Sequence, residues 1–113
     1  MARGDVLALH RAIGFLPGAK LERFAVIQSD RLARALDTVI AVPLDEARAE
    51  YAGLPGTVPV SSREAGTKRD QVALVTQLTS LPAERFEAVA AGRLRAATLA
   101  RIAEVTKIVL ELD

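Results

Sequence analysis

A change of period near the C-terminus constrains the fold of this chain more than any other feature. Leu99, Ile102, Val105 and Val109 recur at three- and four-residue spacing, which puts them on one face of a helix with Arg101, Glu104 and Lys107 on the other. Everything before them reads in short, strand-length runs. Val6 to Leu9 follows Gly4-Asp5 and suits a first strand, and Phe24 to Gln28 is apolar and β-branched enough for a second. Thr38 to Val42 is the clearest buried strand, bounded by Asp37 and Pro43; Val58 to Ser61 and Gln71 to Gln77 alternate, the latter with Val72, Leu74 and Thr76 on one face. Between these runs Pro17-Gly18 marks a loop, and Asp30 is placed to cap a short helical turn through Arg31, Leu32 and Arg34. Residues 44–56 read as a charged surface excursion with room for one helical turn, and 62–69 as a polar loop. Short strands closed by one final helix predict an α+β fold, a small β-barrel or half-barrel, and 113 residues make it a single domain, 1–113.

Composition narrows the chemistry. Cysteine is absent, which removes disulfides, thiolate nucleophiles and cysteine-based zinc sites, and His10 is the one histidine, so no metal cluster built on histidines is available. Neither a metal nor a cofactor is predicted. Three Phe, one Tyr and no Trp are too few for a platform on which bases stack. The formal charge is +1, so there is no protein-wide basic field, and any phosphate site must be local. No apolar stretch has the length of a signal peptide or membrane span; the expectation is a cytoplasmic protein with no membrane partner.

Several stretches then occur in a telling order. They are Arg3-Gly4-Asp5-Val6, Arg23-Phe24-Ala25-Val26-Ile27-Gln28-Ser29-Asp30, Thr38-Val39-Ile40-Ala41-Val42-Pro43-Leu44 and Gly66-Thr67-Lys68-Arg69-Asp70-Gln71-Val72, followed by Gln77, Glu84-Arg85-Phe86 and Gly92-Arg93-Leu94. As a series this resembles the MazF/PemK family of type II toxins, endoribonucleases on a small SH3-like barrel shared with the gyrase poison CcdB. The resemblance implies metal-free cleavage of single-stranded RNA to 2′,3′-cyclic phosphate and 5′-hydroxyl ends. It also implies a homodimer and a cognate antitoxin that lays an acidic, partly disordered tail into the RNA groove. The alternative from another class is a non-enzymatic, CcdB-like gyrase binder, or a weakened family member that engages only an antitoxin.

The resemblance assigns Arg23 to the phosphate, where a planar guanidinium can hold two oxygens at once. Three positions depart from the family. Asp45 stands where a catalytic Thr or Ser is usual, Phe24 replaces a Pro after the Arg, and Gln77-Leu78-Thr79 replaces Gln-x-Arg. Two roles are open for Asp45: general base, or an acid that pairs with Arg23 and repels phosphate. Lys20, Lys68, Arg69 and Gln77 are candidate RNA contacts. Read without the resemblance, Arg23 is a strand-end charge, Asp45 a loop acid or cap, Gln77 a partner for backbone groups, and the two basic sites solvated mixed-charge loops beside Glu22 and Asp70. His10, a natural proton donor, is by the same reading an exposed strand-end histidine.

Overall fold

The computed structural model describes residues 1–16 and 19–111, with backbone alone for 12–16, 19 and 20. Strands β1 (Asp5–Leu16), β2 (Ala19–Val26), β3 (Thr38–Glu46), β4 (Thr57–Val60), β5 (Gln71–Leu74), β6 (Thr79–Pro82) and β7 (Gly92–Arg93) form one antiparallel sheet in the order β4-β5-β3-β2-β1-β7, with β6 on β3. Helix α1 (Asp30–Ala35) follows β2, α2 (Ser62–Ala65) follows β4, and α3 (Ala96–Val109) closes the chain. The fold is a curled antiparallel half-barrel with a C-terminal helix, an α+β arrangement.

β3 is the hub. On one edge its residues Ala41 to Leu44 pair with β2; on the other, Thr38 to Ala41 pair with β6 and Leu44 to Glu46 with β5. Val42 and Pro43 fall in the gap between those two partners, so the N–H that proline lacks is not required by the ladder there. That is why the strand continues past Pro43 to Glu46 rather than ending at it.

Two-sided burial explains the other departures from the expected boundaries. Along β1 and β2 successive residues enter opposite clusters: Val6 and Ala25 join Val42, Leu44, Val58 and Ile102, whereas Leu7, Phe24 and Val26 join Val39, Leu81 and Phe86. Phe24 meets Phe86 edge-on, ring centroids 5.8 Å apart. A strand covered on both faces shows no polar alternation, as at Val6, Leu7 and Leu9 of β1 and at all four positions of β5, while β1 itself runs on past the exposed His10 and Arg11 to Leu16. β5 also stops at Leu74; Val75–Gln77 is a 3₁₀ turn. β2 ends at Val26, two residues short of Gln28, whose side-chain oxygen accepts from the Ile40 N–H at 2.8 Å. At α1 the capping group is the Ser29 hydroxyl, which accepts from Leu32 N–H, while Asp30 accepts from Arg3 N–H at 2.7 Å. The expected Pro17-Gly18 loop lies outside the described residues.

The polar run 62–69 holds α2, fixed by a reciprocal cap: Ser61 Oγ accepts from Glu64 N–H at 3.2 Å, and Glu64 Oε1 accepts from Ser61 N–H at 3.2 Å. Glu64 is buried because it also serves α3. Its Oε2 accepts from Arg95 N–H at 2.8 Å at the start of that helix, where an acid is favoured by the helix dipole. Burial pushes the Glu64 carboxyl up, but the donors Arg95 N–H, Thr98 hydroxyl and Ser61 outweigh it and hold the group below its ordinary value. On α3, Thr98, Ile102 and Val105 are buried, whereas Val109, expected on the apolar face, is exposed as the helix runs off the sheet.

β7 approaches α2 so closely that a Cβ on Gly92 would lie 2.0 Å from the Glu64 carbonyl oxygen. Gly92→Ala must therefore push two backbones apart. The expected result is a loss of about 3 kcal/mol of stability, read by urea unfolding; an unchanged midpoint would show that the two segments separate freely.

Candidate functional site

Arg23 lies on β2 between Ala8 of β1 and Leu44 of β3. Central placement makes its side chain only 24% exposed, with Nε buried and without a hydrogen-bond partner, while Nη1 lies 3.7 Å from Glu22 Oε1. That separation exceeds a hydrogen bond, so the guanidinium keeps its donors for something else. The cleft in front of it has a volume of about 330 Å³ and is lined by Arg23, Glu22, Leu44, Asp45, Glu46, Thr67, Lys68, Arg69 and Gln71.

The fold thus brings Arg23, Asp45, Lys68 and Arg69 to one concavity. Lys68 and Arg69 arrive on the turn after Gly66, which takes a left-handed φ of 69° at the end of α2. That turn is tied by Thr67 Oγ1 donating to the Arg69 carbonyl at 2.7 Å and by Gln71 Nε2 donating to the same oxygen at 3.0 Å. Arg69 itself pairs with Glu46 at 2.8 Å. Gln77 is elsewhere, half-buried in the 3₁₀ turn after β5, and does not line this cleft. The Lys20 side chain lies outside the described residues. His10 faces Glu87 at 3.1 Å, on the surface and outside the cleft.

Asp45 does not pair with Arg23. In the ladder Arg23 stands opposite Leu44, so the pleat turns Asp45 toward the other face. Its Oδ2 accepts from Arg48 Nη2 and from the Tyr51 hydroxyl, and its Oδ1 from the Glu46 N–H at 2.8 Å. The Arg48 guanidinium also lies over the Tyr51 ring, 5.6 Å from its centroid. Sequence reasoning passed over Arg48 and Tyr51 as part of a surface excursion. Two signals pointed to them: an acid and an arginine three residues apart, and the chain's single tyrosine within a charged stretch.

Behind this clamp a second concavity of about 520 Å³ runs along β4, with Arg48, Tyr51, Pro59, Gln71 and Arg95 among its walls. Gln71 lines both. Among the described residues no group of three or more His, Cys, Asp or Glu side chains is arranged to hold a metal ion, and no helix is long and apolar enough to cross a membrane.

Residues 4–110 match the family described as PemK-like, MazF-like toxins of type II toxin-antitoxin systems. No curated protein matches the sequence significantly. Solved structures do. An endoribonuclease in complex with its cognate antitoxin, from a mycobacterial species, superposes with a TM-score of 0.77 at 17% identity, covering 100% of this chain and 97% of the other. The Mycobacterium tuberculosis toxin MazF-mt6 gives 0.71 at 20% identity, covering 94% and 98%. A MazE-MazF structure from Deinococcus radiodurans gives 0.76 at 17% identity, covering 100% and 98%. At such identities these neighbours establish the fold.

The clamp has a spectroscopic consequence. Burial, and then the hydrogen bond and charge of Asp45, push the Tyr51 phenol above its ordinary value. With one tyrosine and no tryptophan in the chain, an alkaline absorbance titration reads that group alone. Its midpoint is expected above pH ~10 and lower in Asp45→Thr; the same midpoint in both proteins would show that the contact is absent in solution.

Proposed function

The chain belongs to the PemK-like, MazF-like toxin family of type II toxin-antitoxin systems, and from that premise we propose that it is an endoribonuclease acting on single-stranded RNA without a metal. The observation that carries this reading is Arg23: a largely buried guanidinium with an unpartnered Nε, opening on a cleft that also holds Lys68 and Arg69.

Cleavage of this kind needs the ribose 2′-oxygen to bond to phosphorus as the bond from phosphorus to the 5′-oxygen breaks. Negative charge gathers on the phosphorane oxygens, and a fixed guanidinium stabilises it there because its donors need not reorganise. Lys68 adds an ammonium for an adjacent phosphate. Asp45 completes the proposed catalytic pair. Two donors occupy its Oδ2, while Oδ1 receives one and keeps an acceptor position for the proton of the 2′-hydroxyl. The leaving 5′-oxygen takes its proton from water. Lys20 and Gln77 belong to this proposal as RNA contacts on the family likeness alone.

The same likeness supports two partners, a second copy of this chain and an antitoxin whose acidic tail competes with RNA for the cleft. A second reading, a family member that binds its antitoxin but cuts RNA weakly, is favoured by one observation. Glu22, Asp45 and Glu46 line the cleft alongside Arg23, Lys68 and Arg69, so its charges balance.

Incubating the purified protein with unstructured RNA in the presence of a chelator separates these readings. The expected products carry 2′,3′-cyclic phosphate and 5′-hydroxyl ends, and Arg23→Ala slows their formation about a hundredfold or more. Intact RNA with retained antitoxin binding supports the second reading, and intact RNA with a stalled gyrase supports the CcdB-like alternative.

A further inference from the structure

We propose that Gln71 is a specificity-determining residue: it selects a nucleobase with an exocyclic amino group, adenine or cytosine, and the concavity along β4 is the seat of that base. This rests on the reading of Arg23 as the group that holds an RNA phosphate.

Backbone pairing sets Gln71 beside Arg23. Arg23 stands opposite Leu44, Leu44 opposite Ala73, and Gln71 precedes Ala73 by two positions on β5, so Gln71 and Arg23 belong to the same face of the sheet. Two strand spacings across and two residues along put their Cα atoms roughly 12 Å apart, so a phosphate at the Arg23 guanidinium brings its own base or the next within reach of the Gln71 side chain. Among the described residues Gln71 is the only one that lines both the Arg23 cleft and the concavity along β4.

Its carboxamide has a fixed sense. Nε2 donates to the Arg69 carbonyl at 3.0 Å, and a carbonyl oxygen can only accept, so the amide cannot turn over without losing that bond. Oε1 is left as the reading atom: it accepts from no described residue, yet it is not sealed from solvent. The residue is only 8% exposed, so a base that covers it strips water from Oε1 and has to return a donor, since a buried acceptor left unpaired is costly. Adenine N6 and cytosine N4 are such donors. Guanine O6 and uracil O4 occupy the same place as acceptors, and would meet Oε1 with like partial charge.

The concavity beyond Gln71 suits the flat body of a base. It holds about 520 Å³, and Ala47, Ala52 and Pro59 give it apolar wall beside Tyr51. Arg95 lines it too, with Nε 3.6 Å from Glu64 Oε1, too long for a hydrogen bond, so this guanidinium has donors to spare for the next phosphate. A strand that crosses from Arg23 to Arg95 passes over Gln71.

Anisotropy binding of single-stranded 2′-fluoro octamers, which lack the nucleophile, tests this with homopolymers of adenine, cytosine, uracil and purine, the last being adenine without its amino group. The adenine and cytosine octamers are expected to bind about tenfold tighter than the uracil and purine ones. Gln71→Met, which keeps the side-chain length and removes the acceptor, should bring all four to the weaker level, whereas Arg23→Ala weakens all four and keeps their ratio. A purine octamer that binds wild type as tightly as the adenine one overturns the proposal with no variant involved. So does a Gln71→Met protein, folded by circular dichroism, that still separates adenine from uracil. Sequencing of the 5′-hydroxyl ends cut from a randomised RNA distinguishes this inference from the reading beneath it. Cleavage with no amino-base bias beside the cut overturns the seat and leaves the ribonuclease reading standing, whereas Gln71-dependent amino-base binding in a protein that cuts no RNA supports the seat and removes the ribonuclease reading instead.

Discussion

The forked pairing of β3 is the constraint on which the remaining structure depends. One strand serves β2 along one edge and divides the other edge between β6 and β5, so the sheet has to curl where the partners change. Curling gives the central strands β2, β3 and β5 a core on both faces, and it puts the β2 and β3 residues beyond the change, Arg23 and Asp45, at the rim. The turn that follows α2 reaches the same rim because Asp70 ties it down: its carbonyl accepts from Ala47 N–H at 2.9 Å and its side chain from Ser62 N–H at 2.8 Å. A basic turn, a half-buried arginine and an acid thus come together through backbone pairing, before any side chain of the site contributes.

Two buried carboxylates show how the same physics serves stability and chemistry. Each is removed from water and so must be met by donors inside the protein. Glu64 is met by Ser61, Arg95 and Thr98, and its work is architectural: it joins α2 to the first turn of α3. Asp45 is met by Arg48, Tyr51 and the next peptide N–H, at the edge of a cleft open to solvent. With a formal charge of only +1 the molecule cannot gather RNA by a general field, so the local disposition of these few charges decides whether phosphate is admitted.

What could be read from the sequence followed the degree of one-sided burial. The α3 stripe and β4 face solvent on one side, so their periods were plain, and Thr38 to Val42 was legible as a continuous apolar run. Val6 to Leu9 of β1 and Phe24 to Val26 of β2 are covered on both faces and show no alternation, the alternation read over 71–77 marked no one-sided face because β5 is buried at all four positions, and β6 is too short to register. In Ser61-Ser62-Arg63-Glu64 the capping pattern was present in the residues. It looked like a loop because the partner that buries Glu64, Arg95, is 31 positions away. Arg23 could be singled out only through family resemblance, since nothing local distinguishes it from a solvated arginine. The Asp45 clamp was hidden for a related reason: an acid three residues before an arginine is common on surfaces, and only packing around Tyr51 makes it a fixed device.

The central claim is that Arg23 receives the phosphate while Asp45 stays engaged by Arg48. A crystal structure of the protein with a short 2′-fluoro RNA bound tests it most directly. The account predicts a phosphate within hydrogen-bond distance of the Arg23 guanidinium and the Asp45 carboxylate still held by Arg48 and Tyr51. An RNA strand that passes Arg23 by, or one that draws Arg48 off Asp45 to bind phosphate itself, would contradict it.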